Sequence, residues 1–196
     1  MNPQLPARPP STQAAERQVT AFNLLAWIDA NRHRLKPPTA ASTVLRDRDY
    51  MITIVGGPNA RTDYHVNPRE EFYFQLEGTL TLRIQQDGKP QDVMVPAGSV
   101  FLLPRGVPHA PQRPAASVGL ILEAIRQPHE FDVHEWYCEK CNHKLFAKEA
   151  YLDVLERDMP PVFDAYYRDA ANQLCKACGH TNPGRPQAPS PSIAPR

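Results

Sequence analysis

The sequence predicts a mainly β protein, a small antiparallel barrel or jelly roll with one helix before it and a metal-binding extension after it. Three observations carry this. Between residues 50 and 125 the apolar residues fall in short runs of similar length, separated by Gly and Pro turns. Residues 22–35 instead place Leu24, Leu25, Ile28 and Leu35 near one helical stripe. Beyond residue 133 the texture changes again, and two C-x-x-C pairs appear.

The helix over 22–35 suits the edge of a sheet, and Pro37-Pro38 ends it. Met51–Val55 is the first β-rich run. Phe72–Leu76 and Thr79–Ile84 flank Glu77-Gly78 and read as a hairpin. Asp87-Gly88 marks a second turn, and Val100–Leu103 and Val118–Ile125 are further apolar runs. Residues 148–157 are ambiguous between helix and strand. Residues 160–171 read as a short helix with Pro161 near its first turn. Of 22 prolines, four lie in 1–10 and five in 183–196. The stretches 1–20 and 183–196 therefore read as flexible tails, leaving 21–132 for the barrel and 133–182 for the extension.

Composition excludes several functions. The 196 residues are 41% hydrophobic and 22% charged, with a formal net charge of +1. That suits one soluble domain with a small appendage. It leaves no basic field for nucleic acid or an anionic membrane, so small-molecule partners are expected. No apolar run approaches the roughly 20 residues of a membrane span. The proline-rich start lacks a signal-peptide core, and a cytoplasmic protein is expected. In that compartment paired C-x-x-C favours a metal knot over disulfides.

Two segments carry the chemistry. Residues 56–78 offer His65, then Glu71 six positions later, with Gly78 beyond. Residues 98–113 offer Pro104-x-Gly106 and then His109. A strand beginning at Glu71 and fed by a loop carrying His65 lets both side chains turn into a barrel mouth. Pro104 and Gly106 shape a tight turn that aims His109 at the same point. Two imidazoles and one carboxylate on one face of a metal form the facial triad of non-haem Fe(II) oxygenases, with positions left for O2 and substrate. Glu70 would point to the opposite face of the strand. Asp63 is a possible alternative oxygen donor off the motif. His33, His129 and His134 read as surface or satisfied core residues.

Cys138-Glu-Lys-Cys141 and Cys175-Lys-Ala-Cys178 have 33 residues between them. Asn142 and Gly179, which follow the second cysteine of each pair, tolerate the left-handed backbone that turns N–H groups toward sulfur. Four thiolates make a closed tetrahedral site for a second iron or a zinc, rubredoxin-like and structural. His143 and His180 could ligate, but four thiolates suffice.

The two histidine-bearing segments resemble the two cupin motifs, so the predicted fold is a cupin jelly-roll barrel. The second motif fits from Gly98 to His109. The first departs, because Asn67 stands where its second histidine is usual, and a three-ligand site follows. The stretches VGGPNARTDYH (55–65), EEFYFQLEG (70–78), FLLPRGVPHAPQRP (101–114), EWYCEKC (135–141) and PPVFDAYY (160–167) together resemble the 3-hydroxyanthranilate 3,4-dioxygenase family, in its shorter bacterial or fungal-like form. The resemblance runs from about residue 22 to residue 186.

It implies Fe(II) at His65, Glu71 and His109, with 3-hydroxyanthranilate and O2 as substrates. It implies ring opening to 2-amino-3-carboxymuconate semialdehyde, in a homodimer. It further implies that Arg61, Arg113 and Glu123 hold the substrate's carboxylate end, with Asn23 as a further contact. An arginine fork suits a planar carboxylate, and a buried Glu123 needs a partner such as arginine. The competing expectations are another Fe(II) cupin dioxygenase and a non-catalytic ligand-binding cupin.

Overall fold

Strand alternation is visible in burial. Along Thr79–Gln86 the residues Leu80, Leu82 and Ile84 are buried while their neighbours are not, so one face of a period-two strand turns inward. Burying each of these side chains contributes roughly 1.5–3 kcal/mol. The structure, a computed structural model, describes residues 20–37, 40–59 and 61–186. The tails expected at 1–20 and 183–196 lie outside them, except for Thr20 and 183–186.

The chain divides into two compact units, Met1–Asn31 and Arg32–Arg196. The first holds helix α1 (Leu24–Asn31). Asn23 caps it, its side-chain oxygen accepting from the Ala26 N–H at 3.0 Å.

The second unit opens on a 3-10 turn, Arg32–Leu35, and then runs through eleven described strands. These are β1 (Ala41–Arg46), β2 (Tyr50–Gly56), β3 (Tyr64–Val66), β4 (Glu71–Glu77), β5 (Thr79–Gln86), β6 (Lys89–Pro96), β7 (Val100–Leu103), β8 (His109–Gln112), β9 (Val118–Ala124), β10 (Asp132–Tyr137) and β11 (Lys144–Ala150). Helix α2 (Leu155–Tyr167) follows. The strands form two antiparallel sheets, ordered β1-β2-β9-β4-β7 and β11-β10-β3-β8-β5-β6. This is the jelly roll that the sequence predicts. Tyr73 and Leu103 from the first sheet and Leu80, Leu82, Ile84 and Val95 from the second share one core.

Two details differ from expectation. Glu77-Gly78 does not close a hairpin: β4 pairs with β7 and β9, whereas β5 pairs with β6 and β8. The chain crosses between sheets there, with Gly78 at φ 68°. The local signature of a turn was right; which strands it joins is a long-range matter. Asp87-Gly88, both at positive φ, does close the β5–β6 hairpin. The second difference is that α2 begins at Leu155, so Pro160 and Pro161 lie inside it. The Asp158 carboxylate accepts from the N–H groups of Asp153 and Val154, fixing the start one turn before the prolines.

The extension begins inside the second sheet. β10 pairs with β3 on one side and β11 on the other. Trp136 of β10 stacks on Tyr166 of α2, with ring centroids 4.5 Å apart, and Val162 completes that core.

Candidate active site

His65 on β3 and His109 on β8 are directly paired across the second sheet. Glu71, at the start of β4, faces them from the first. His65 Nδ1 and His109 Nε2 lie 3.4 and 3.3 Å from the same Glu71 oxygen, Oε1. All three side chains are buried. One ligand atom from each falls within 4.8 Å of the others, so this trio could hold a metal ion. Ligand atoms about 2.1 Å from a common ion and at right angles lie about 3 Å apart, close to the spacing here.

The supporting hydrogen bonds aim the three candidate ligands. His65 spends Nε2 on Asp132 at 2.6 Å, and His109 spends Nδ1 on the Val107 carbonyl at 3.0 Å. Each ring therefore turns its other nitrogen to the shared point. Burial holds the His65 imidazole down to about 4, so it is neutral at pH 7, the form that ligates. Burial works to raise the Glu71 carboxyl, but His109, His65 and the Tyr73 hydroxyl overcome it and hold it well below its usual range. Gly106, at φ 76°, donates to the Asn67 carbonyl, tying the turn before His109 to the loop after His65.

Asn67 explains the departure from the usual motif. Its amide donates to Glu71 Oε1 at 2.8 Å and to Glu123 Oε1 at 3.2 Å. It braces the carboxylate of the trio. Asp63 faces Arg61 and His134 through its carboxylate oxygens.

Arg113 reaches the same interior. Its Nη1 donates to Gln75 at 3.0 Å, while Nη2 is buried with no hydrogen-bond partner. Burial brings this guanidinium down to about 10. A buried cation with an unspent donor suits an anionic ligand. Gly119 lets it lie there, since a Cβ at that position would meet Arg113 Nη1 at 2.7 Å. Arg61 forks onto Asp63 through Nε and Nη2, at 2.9 and 2.8 Å. Glu123 lies half-buried beside the trio, and removal from water, reinforced by the Glu71 charge, pushes it up to about 7. The arginine it meets is Arg126, at 3.2 Å.

The family model described as 3-hydroxyanthranilic acid dioxygenase matches residues 17–167. The chain belongs to that family. A 3-hydroxyanthranilate 3,4-dioxygenase from Xanthomonas campestris pv. campestris (strain B100) is 50% identical over 165 residues, spanning 84% of this chain and 93% of that protein. One from Jannaschia sp. (strain CCS1) is 44% identical over 169 residues, 86% of this chain and 94% of that one. Among solved structures, protein NMB1881 from Neisseria meningitidis is similar at TM-score 0.43 and 15% identity, covering 54% of this chain and 99% of that one. A cupin-2 domain protein from Shewanella frigidimarina is similar at TM-score 0.38 and 21% identity, covering 43% and 78%.

In this member of the 3-hydroxyanthranilic acid dioxygenase family, the residues that sequence reasoning missed are the supporting ones. Arg126 donates to both Glu123 and Asp132, so Glu71, Asn67, Glu123, Arg126, Asp132 and His65 form one continuous hydrogen-bonded chain. His134, read from sequence as a surface or satisfied core residue, is buried and stacks on His65 with ring centroids 5.1 Å apart. The period-two spacing of Asp132 and His134 on a strand was the available signal. Nothing in the sequence said that β10 would lie beside β3.

The second cluster brings together Cys138, Cys141, Cys175 and Cys178. Sγ atoms of Cys138 and Cys178 lie 3.6 Å apart, and those of Cys141 and Cys175 lie 3.5 Å apart. Tetrahedral bonds of about 2.3 Å imply sulfurs about 3.8 Å apart. The two turns are alike. Asn142 N–H donates to the Cys138 carbonyl and Gly179 N–H to that of Cys175, at φ 59° and 72°. His143 and His180 contribute backbone carbonyls, accepting from the N–H of Cys138 and Cys175.

Proposed function

We propose that this chain cleaves the ring of 3-hydroxyanthranilate with O2 at an Fe(II) centre held by His65, Glu71 and His109, giving 2-amino-3-carboxymuconate semialdehyde. Family membership supplies the reaction class. The observation that carries the site assignment is the convergence of two imidazoles and one depressed carboxylate on a single point. Bound iron supplies a chelation site for the substrate's hydroxyl and amine and the electrons that activate O2.

The chain's own residues do the rest. Asn67 and Tyr73 spend hydrogen bonds on Glu71, at 2.8 and 2.6 Å, and so keep the carboxylate aimed. Arg113 offers its unspent Nη2 to the substrate carboxylate, and Arg61 offers the edge that Asp63 does not use. Held at that end, the ring is oriented before reaction begins. Glu123, with its raised carboxyl, completes the carboxylate-reading group on the side nearest Glu71. The four cysteines hold a second iron or a zinc in a structural role, a closed set with no open position.

No helix among the described residues is long and apolar enough to cross a membrane. We assign the enzyme to the cytoplasm as a homodimer. Support for pairing comes from the outer face of the first sheet, where Leu45, Ile52, Leu122, Phe72 and Leu102 run in register across five strands. Leu45 and Leu102 at its ends are exposed. Leu102→Glu should yield monomers on size-exclusion chromatography if this face pairs.

The deciding experiment is anaerobic Fe(II) reconstitution followed by 3-hydroxyanthranilate and O2, monitoring the semialdehyde's absorbance. Iron bound in the barrel without semialdehyde formation would sink the proposal.

A further inference from the structure

The three residues Arg61, Thr62 and Asp63 precede β3, and each is held by a different element. The Arg61 carbonyl accepts from Gln112 Nε2 at 3.0 Å, on β8. The Thr62 hydroxyl meets the Tyr167 hydroxyl at 2.6 Å, at the end of α2. Asp63, fully buried, accepts from His134 Nδ1 at 2.7 Å, on β10. Two of the three anchors therefore come from the C-terminal extension.

Asp63 is the pivot of this arrangement. Its carboxylate meets Arg61 side-on through Nε and Nη2. Side-on pairing uses two of the five guanidinium donors and fixes the plane of the fork. The end-on edge, Nη1 with the second Nη2 hydrogen, then points in a direction set by Asp63. Asp63 in turn has its direction set by His134, whose ring is locked by burial and by stacking on His65. A guanidinium on a long side chain loses much rotamer freedom when it binds a carboxylate, and pre-setting its plane removes part of that cost.

We propose that His134 is a positioning residue for substrate recognition: through Asp63 it orients Arg61 toward the substrate carboxylate. The proposal rests on the reading that Arg61 contacts that carboxylate. His134 itself touches neither substrate nor metal in this role. It gives the extension a part in selecting the substrate, separate from the cysteine cluster.

The test uses the iron-loaded enzyme under anaerobic conditions. Equilibrium binding of 3-hydroxyanthranilate and of 2-aminophenol, which lacks the carboxylate, is measured by fluorescence, with iron quantified in each sample. His134→Phe keeps an aromatic ring but removes the donor. It should weaken 3-hydroxyanthranilate about tenfold and leave 2-aminophenol within about twofold, with iron retained. His134→Asn places an amide donor near the former Nδ1 and should restore most of the difference. Aerobic turnover should show the same factor as a rise in KM, with little change in kcat.

Asp63→Asn, which keeps the shape and removes the charge, carries the same expectation should His134→Phe not fold. Arg61→Ala run in parallel separates the two ideas. If it leaves the preference for the carboxylated ligand intact, the Arg61 reading fails and this proposal with it. If Arg61→Ala lowers that preference but His134→Phe and Asp63→Asn do not, only the positioning role is overturned. Equal weakening of both ligands would make His134 a structural residue and also overturn it.

Discussion

His65, Glu71 and His109 come from three strands in two sheets, whereas each cysteine pair comes from one tight turn. The first cluster is surrounded by buried ionisable side chains, Asp132, Arg126 and Arg113, with the half-buried Glu123 among them. In the second, the turns are closed by backbone N–H groups and carbonyls, and Cys141 is exposed. As metal sites, three ligands would leave positions for reactants and four thiolates would leave none. On the proposed reading the contrast separates a site for chemistry from one for cohesion, and it can be broken at either end.

The largest effect is expected in the trio. His65→Ala, Glu71→Ala and His109→Ala should each lose barrel iron and reduce turnover to background, because three ligands include no spare. Metal analysis with a product assay checks this, and a variant that keeps both iron and activity removes its residue from the metal. Cys175→Ser should instead lower stability by several kcal/mol and lose the second metal, because the binding energy of a structural site is folding energy. Barrel iron should bind almost normally in whatever stays folded. Thermal melts and metal content decide it. Unchanged stability with lost ring cleavage would give the cysteine cluster a catalytic part and erase the contrast.

These clusters also differ in how well the sequence discloses them. A C-x-x-C followed by Asn142 or Gly179 is a local statement, and the left-handed backbone at both residues follows from it. That His65, Glu71 and His109 converge was legible through motif spacing, although His65 lies on β3 and not in the loop expected for it. Their supports were not. Asp132 bonds to a residue 67 positions away, and Asn67 reaches Glu123 across 56. The failed hairpin at Glu77-Gly78 has the same origin, since a turn signal is local and strand partnership is not.

A smaller effect tests the carboxylate end. Arg61→Ala or Arg113→Ala should leave iron content unchanged. Each should lower kcat/KM for 3-hydroxyanthranilate roughly ten- to a hundredfold, the scale of 1–3 kcal/mol for an unpaired buried polar group. The gap between that substrate and 2-aminophenol should narrow. A variant that keeps the full preference shows that its arginine plays no part in reading the carboxylate.

The smallest predicted effect is the most local. Gly119 lies on β9 under the tip of Arg113, where an added Cβ would meet Arg113 Nη1 at 2.7 Å and Gln75 Oε1 at 2.8 Å. Both are ends of flexible side chains, so Gly119→Ala can be accommodated by a shift of the guanidinium and its amide partner. The backbone need not move, and the metal trio is untouched. Overpacking of this kind costs on the order of 1 kcal/mol. If Arg113 reads the substrate carboxylate, that displacement should raise KM for 3-hydroxyanthranilate by several-fold, short of the loss in Arg113→Ala. KM for 2-aminophenol and iron content should stay at wild-type values. Measured on both substrates, equal changes would mean that the added methyl disturbs the pocket as a whole. A change confined to the carboxylated substrate would place the recognition at the tip of Arg113.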